Sequence, residues 1–241
     1  MMEVLNDALG HFTPLDLAAV VVLVVAWSGV TLLIEHAPKR FPSTSNLMAQ
    51  YRREWMVQFV SRDSRIFDSQ MIGQLRQGTA FFASATLIAI GGTLALLGDV
   101  ERLIGLADDL IKGGFPMIVW EVKILVIVAF LTNAFLKFVW SNRLFGYCAV
   151  LMGAVPNDPT HPAAQKRALK AAEINITAAR GFNRGLRSLY FALAAAAWLF
   201  GAVMLMIAVA ITLGVLLRRE FASVSRAILM RPEGHETDTR R

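Results

Sequence analysis

The chain has 241 residues, 56% of them hydrophobic and only 17% charged, and a soluble domain carries nearer a quarter charged residues, so the excess apolar surface has to face lipid. Its formal charge of +6 comes from basic residues gathered in a few segments, which fits an anionic membrane surface as partner and, with no nucleic-acid motif present, leaves no case for DNA or RNA. A single cysteine, Cys148, allows no disulfide framework, and His11, His36, His161 and His235 lie far apart and outside the apolar runs, so no haem, metal or other cofactor is expected.

Residues 1–14 contain Glu3 and Asp7 but no Lys or Arg, and so lack the basic opening of a cleaved signal peptide. Pro14 suits the first position of a helix, where its missing N–H costs nothing. Residues 17–34 are 18 uncharged positions followed by Lys39 and Arg40, which predicts a first membrane span over 15–34. From 41 to 77 the pattern turns amphipathic. Ser43, Thr44 and Ser45 offer an N-cap, and Leu47, Met48, Tyr51, Trp55, Phe59 and Val60 recur at helical spacing among charged residues. A basic helical loop follows from this, lying on the membrane or against a second helix outside it.

Residues 78–98 are 21 positions without an ionisable group and form the second span. Ser84, Ala85, Ala89, Gly91, Gly92 and Ala95 keep its surface small, which suits close helix contact. On this reading the rest of the chain is arranged around 70–98. A short acidic interfacial helix is expected over 99–114, ended by Gly113, Gly114 and Pro116. The third span, 117–140, contains Glu121, Lys123, Asn133 and Lys137. Pro156, Pro159 and Pro162 mark a turn before a second basic helical loop, 162–188. That loop runs into 189–217, 29 residues without a charge, read as the fourth span. Residues 231–241 are expected to be disordered.

The expected architecture is all-α: one polytopic membrane domain over 1–230, with four transmembrane helices and two helical, basic cytoplasmic loops. The first and third loops carry seven basic residues each, the second loop two, and the segment before the first span none. That asymmetry places both long loops in the cytoplasm and the N-terminus outside, in a bacterial inner membrane. One feature conflicts, because four spans also place outside a tail with six basic residues from Arg218 onward.

The segments YRREWM, LRQGTAFFASATLIAIGG, KFVWSNRLFGYCAVLMGAVP, AAEINITAARGFNRGLRSLYFALAAAAWLFG and LLRREF resemble the bacterial and plant membrane family catalogued as domain of unknown function 599. The resemblance covers roughly 15–221. It implies an integral membrane protein of uncharacterised role and carries no catalytic residue with it.

Several polar residues still invite a chemical reading. Glu121 and Lys123 sit near the outer end of the third span, where a charged pair reaching the headgroups is the ordinary reading and a substrate site the sharper one. Lys123 and Lys137 lie about 21 Å apart along a helix and can reach opposite interfaces. Asn133, deeper, either bonds a neighbouring helix or lines a wet cavity. Arg180, Arg184 and Arg187, at i, i+4 and i+7, share a helix face with Glu173 where the chain enters the inner leaflet. They are candidate anion- or phospholipid-binding residues if headgroups or a phosphate ligand neutralise them, and a structural interface if Glu173, Asp63 or Asp68 does so. Ala197 and Gly201 form a small-xxx-small pair extended by Ala194, Ala208 and Ala210, and predict helix packing in the last span. Cys148, among apolar neighbours, reads as a packed small residue.

No HExxH, GxSxG, P-loop or dinucleotide fingerprint occurs, so no enzymatic activity is expected. Two classes remain. One is an oligomeric structural or accessory component, docked through small-residue helices onto copies of itself or a larger membrane complex. The alternative is a homo-oligomeric channel or transporter for a small solute such as an anion, although four spans with few intramembrane polar groups and no interrupted helix pair give one subunit no path of its own.

Overall fold

A computed structural model describes residues 10–98 and 116–232. Its elements are α1 (Pro14–Glu35), α2 (Thr44–Val60), α3 (Ile66–Leu97), α4 (Met117–Gly153), α5 (Ala164–Ala196), a 3-10 turn (Ala197–Phe200), α6 (Ala202–Phe221) and α7 (Val224–Leu229). The acidic helix expected over 99–114 lies outside the described residues, as do positions 233–241 of the tail. Among the described residues, four stretches are helical, long and apolar enough to cross a membrane: Pro14–Glu35, Ile66–Leu97, Met117–Gly153 and Ala202–Leu229.

Local chemistry sets the helix ends. The Thr13 hydroxyl accepts from the Asp16 N–H at 3.2 Å, and the Thr13 N–H donates to the Asp16 carboxylate at 3.2 Å, a reciprocal capping box around Pro14. Ser43 caps α2 by accepting from the Asn46 N–H at 3.2 Å and also donates to the Ile34 carbonyl at 2.9 Å. That second bond folds the α1–α2 connection back onto the end of α1.

The antiparallel pair α4 and α5 is the axis of the molecule. Asn133 meets Ser188, Phe138 meets Gly185, Ser141 meets Ala178 and Gly181, and Cys148 meets Ala171. The cause is in α5, where Ala164, Ala168, Ala171, Asn175, Ala178 and Gly185 recur at steps of three, four and seven and are all buried. A surface of so little relief lets the bulky Phe138, Phe145 and Met152 of α4 sit directly against it.

The role expected for 70–98 is therefore corrected. The segment belongs to α3, which packs mainly on α4 and is the least buried of the four apolar helices. Its inward stripe is Ile72, Thr79 and Thr86, repeating every seven residues. Ser84, Ala85, Ala89, Gly91, Gly92 and Ala95 lie off that stripe and are exposed, so their small size serves no close packing among the described residues.

A second correction concerns 189–217. Instead of one span, this run holds a helical hairpin. α5 ends at Ala196, the 3-10 turn follows, and Gly201 takes φ 113° and ψ 165°. α6 then returns along α5, so that Arg219 Nη1 donates to the Tyr190 hydroxyl at 3.3 Å. Residues with a Cβ essentially do not adopt that backbone region. Gly201 serves the turn, and Ala197 lies in the turn as well, so the expected small-xxx-small helix face does not exist. Nothing lies within 4 Å of a Cβ built on Gly201. Gly201→Ala should therefore cost only backbone strain, about 1–3 kcal/mol, visible as a lower apparent Tm in detergent. Unchanged melting would show that the turn has another geometry.

Two cores result. The first joins Leu23 and Val30 of α1, Phe130 of α4, Phe191 of α5, and Leu205 and Val209 of α6. Val21 and Val25 of α1, Leu193 of α5, the turn's Phe200, and Ile207 and Ile211 of α6 stand exposed around it, as a lipid-facing belt requires. The second core joins Met56 and Phe59 of α2, Ile72 of α3, Cys148 and Met152 of α4, and Ala168 and Ala171 of α5. Cys148 is fully buried there, its thiol donating to the Ala171 carbonyl at 3.4 Å.

Candidate functional site

Between α2, α3, α4, α5 and α6 lies a partly open cavity of about 360 Å³, at the small end of the range for ligand sites. Its polar wall is Arg52 of α2, Gln74 of α3, Arg180 and Asn183 of α5, and Arg219 and Glu220 of α6. Met48, Leu75 and Phe145 supply apolar wall. α2 packs mainly on α5 and α3 on α4, and the cavity is the space left between the two pairs.

Each charged group has a definite setting. Arg52 Nη1 donates to the Asn175 amide oxygen, and among the described residues no carboxylate pairs with it. Burial pushes its guanidinium below the usual arginine range, the mark of a cation short of an anion. Arg180 is exposed to the cavity and makes no hydrogen bond or ion pair with a described residue. Among the described residues the Arg219 side chain bonds the Tyr190 hydroxyl alone. Glu220 is already engaged: its carboxylate accepts from the Ser45 N–H at 3.0 Å and the Ser45 hydroxyl at 2.9 Å, in the first turn of α2.

Arg184 and Arg187 leave the face they share with Arg180 on the helical wheel. Both reach Glu35, which accepts from Arg184 Nε at 2.8 Å, from Arg184 Nη2, and from Arg187 Nη2 at 2.6 Å. The neutralising acid is thus the last residue of α1. Glu173 pairs instead with Arg53 at 2.6 Å and Asp68 with Arg62 at 2.5 Å. Of the three arginines expected to act together, only Arg180 faces the cavity.

Two of the four polar residues of the third span are drawn into helix contacts. Lys123, only 3% exposed, lies 5.4 Å from the Trp120 ring and 5.7 Å from the Trp198 ring, whose indole N–H donates to Asp16 at 2.7 Å. Asn133 donates to the Ser188 hydroxyl at 2.8 Å, and the same oxygen accepts from the Trp27 indole at 3.2 Å, so α1, α4 and α5 are tied at one level. Glu121 and Lys137 are half-buried and join neither group.

The family model described as protein of unknown function, DUF599, matches residues 18–225. The chain belongs to the DUF599 family. The matched segment takes in the hairpin, Glu35 and the cavity residues Arg52, Arg180 and Arg219. No curated protein and no solved structure matches the chain. This DUF599 protein thus brings its site to light through geometry alone.

Arg52, Arg219, Glu220 and Glu35 escape a reading of the sequence because each acts across a long separation, 175 positions between Ser45 and Glu220 and 152 between Glu35 and Arg187. One signal for Arg219 was present. That signal is the basic tail, which sits uneasily with four crossings.

Proposed function

We propose that this DUF599 protein is a non-enzymatic accessory component of the bacterial inner membrane, a packed anchor of five crossings that holds a basic helical platform against the cytoplasmic face. The hairpin at Gly201 carries this reading. With α1, α3 and α4, the two arms of the hairpin make five passes, so the N-terminus lies outside and the C-terminus inside. Both basic loops and the six basic residues of the tail then share one side, and the charge conflict disappears. The vertical scale agrees: Asp16 and Glu35 mark the two ends of α1, about 28 Å apart along the helix, close to the thickness of a hydrocarbon core.

Between those levels Leu23, Phe130, Phe191 and Leu205 fill the bundle, and Trp27, Asn133 and Ser188 satisfy one another. A solid interior supports an anchor better than a solute path within one copy. Transport of a small anion is the second reading, and it requires several copies around a shared path. The open small-residue side of α3 supports association with a second copy or a larger complex.

Reporter fusions test the threading. A C-terminal GFP fusion should fluoresce and a C-terminal alkaline phosphatase fusion should be inactive, whereas phosphatase fused after Phe200 should be active. The reverse at the C-terminus restores four crossings. Mass measurement in native membranes separates the two roles, since a stable hetero-complex supports the accessory reading and a closed homo-oligomeric ring overturns it in favour of a pore.

A further inference from the structure

We propose that the cavity between α2, α3, α5 and α6 binds a phosphate-bearing anion, held by Arg52, Arg180 and Arg219. Three arginines line it against one carboxylate, Glu220, each of whose oxygens accepts a hydrogen bond from Ser45. Arg52 is half-buried with a neutral amide oxygen as its hydrogen-bond acceptor, and Asn175, which supplies that oxygen, is itself fully buried. A guanidinium in such a place is costly without a counter-charge, and no described carboxylate forms an ion pair with it. Arg180 makes no hydrogen bond or direct ion pair with a described residue and acts on Glu35 only at longer range, in contrast to Arg184 and Arg187 one and two turns along, which contact Glu35 directly.

The donor type selects the anion. A guanidinium offers two parallel N–H groups that match a pair of phosphate oxygens, and here arginines from three different helices line one cavity. A carboxylate can occupy one such fork. A tetrahedral phosphate has oxygens for two or three. Met48, Leu75 and Phe145 add apolar lining, so the ligand has room for an apolar part beside its anion. Arg219 and Glu35 place the cavity at the inner boundary of the hydrocarbon, where the headgroup phosphate of an anionic phospholipid lies. A free phosphate or a soluble phosphate ester brings the same chemistry from the cytoplasm. The lipid source, unlike the anion site itself, rests on the five-crossing arrangement proposed above.

The test uses the full chain in nanodiscs of phosphatidylcholine with and without phosphatidylglycerol. Native mass spectrometry counts retained phosphatidylglycerol, and calorimetric titration with inorganic phosphate is run in phosphatidylcholine alone. Wild type is compared with Arg180→Gln, with the double change Arg52→Gln and Arg180→Gln, and with Arg53→Gln, which removes the same charge from the exposed pair with Glu173 outside the cavity. Wild type should hold phosphatidylglycerol, inorganic phosphate or both. Each cavity substitution should weaken that binding about tenfold or more, and Arg53→Gln should leave it unchanged. Lipid retention lost from a protein silent to phosphate identifies a headgroup. Phosphate binding lost from a protein that retains no phosphatidylglycerol identifies a soluble ligand. A wild type that binds neither, or an Arg53→Gln variant that loses as much as the cavity variants, overturns the proposal. Arg180→Gln breaks no internal hydrogen bond, so it decides alone if the double variant fails to fold.

Discussion

Replacing Glu35 by Gln should lower stability by about 3–5 kcal/mol, the range found when one partner of a buried ion pair is removed and the other charge is left behind. The charge left behind is chiefly Arg187, whose side chain is 4% exposed against 10% for Glu35. Its Nε is already buried without a hydrogen-bond partner, and Glu220, the other acid that acts on it, makes no direct ion pair with it. Arg184, 45% exposed, contributes less because solvent and headgroups can reach it. Gln keeps the shape of Glu35 and removes only its charge, which isolates the electrostatic part. The measurement is apparent melting in detergent together with resistance to mixed-micelle unfolding. Replacing Glu35, Arg184 and Arg187 together by Met or Leu should recover most of the loss, because an apolar triad of similar volume leaves no charge unpaired. A loss below about 1 kcal/mol for Glu35→Gln would show that Arg187 reaches lipid phosphate or water.

Gly185→Leu should be at least as damaging, preventing α4 and α5 from closing and leaving a protein that inserts but does not hold its compact form. Even the first added carbon meets the Phe138 ring at 2.6 Å and 2.8 Å. Phe138 is fully buried, with the rings of Phe82 and Phe182 each 5.5 Å away, so it has nowhere to turn. Gly185→Ala alone should cost about 1–3 kcal/mol as overpacking, and the larger side chain more. Pairing Gly185→Ala with Phe138→Leu tests the cause, since the smaller partner should relieve part of the strain. Gly181→Ala serves as the reference, because its new Cβ would come no nearer than 3.5 Å to Ser141 and should be tolerated. Equal effects at 181 and 185 would show that helix approach at Phe138 is looser than described.

What the sequence determined by itself is whatever depends on neighbours along the chain. The apolar runs 17–34, 78–98 and 117–140 are membrane helices because transfer into lipid is a sum over consecutive residues, and the caps at Thr13 and Ser43 are local hydrogen bonds over three positions. The amphipathic periods of 44–60 and of 164–188 are local in the same sense. Only the tertiary structure decided that 189–217 turns back at Gly201, because an apolar run carries no mark of being crossed once or twice, and the choice rests on whether α6 finds better packing against α1 and α5 than a continuous helix finds in lipid. The same holds for α3, whose small residues predict close contact but cannot say on which side a partner stands. The arginines show it most directly. Spacing put Arg180, Arg184 and Arg187 on one face, and the end of α1 then divided them, neutralising two through Glu35 and leaving the third beside Arg52 and Arg219, because charge balance in a folded chain is settled by which helices meet and not by which residues are adjacent.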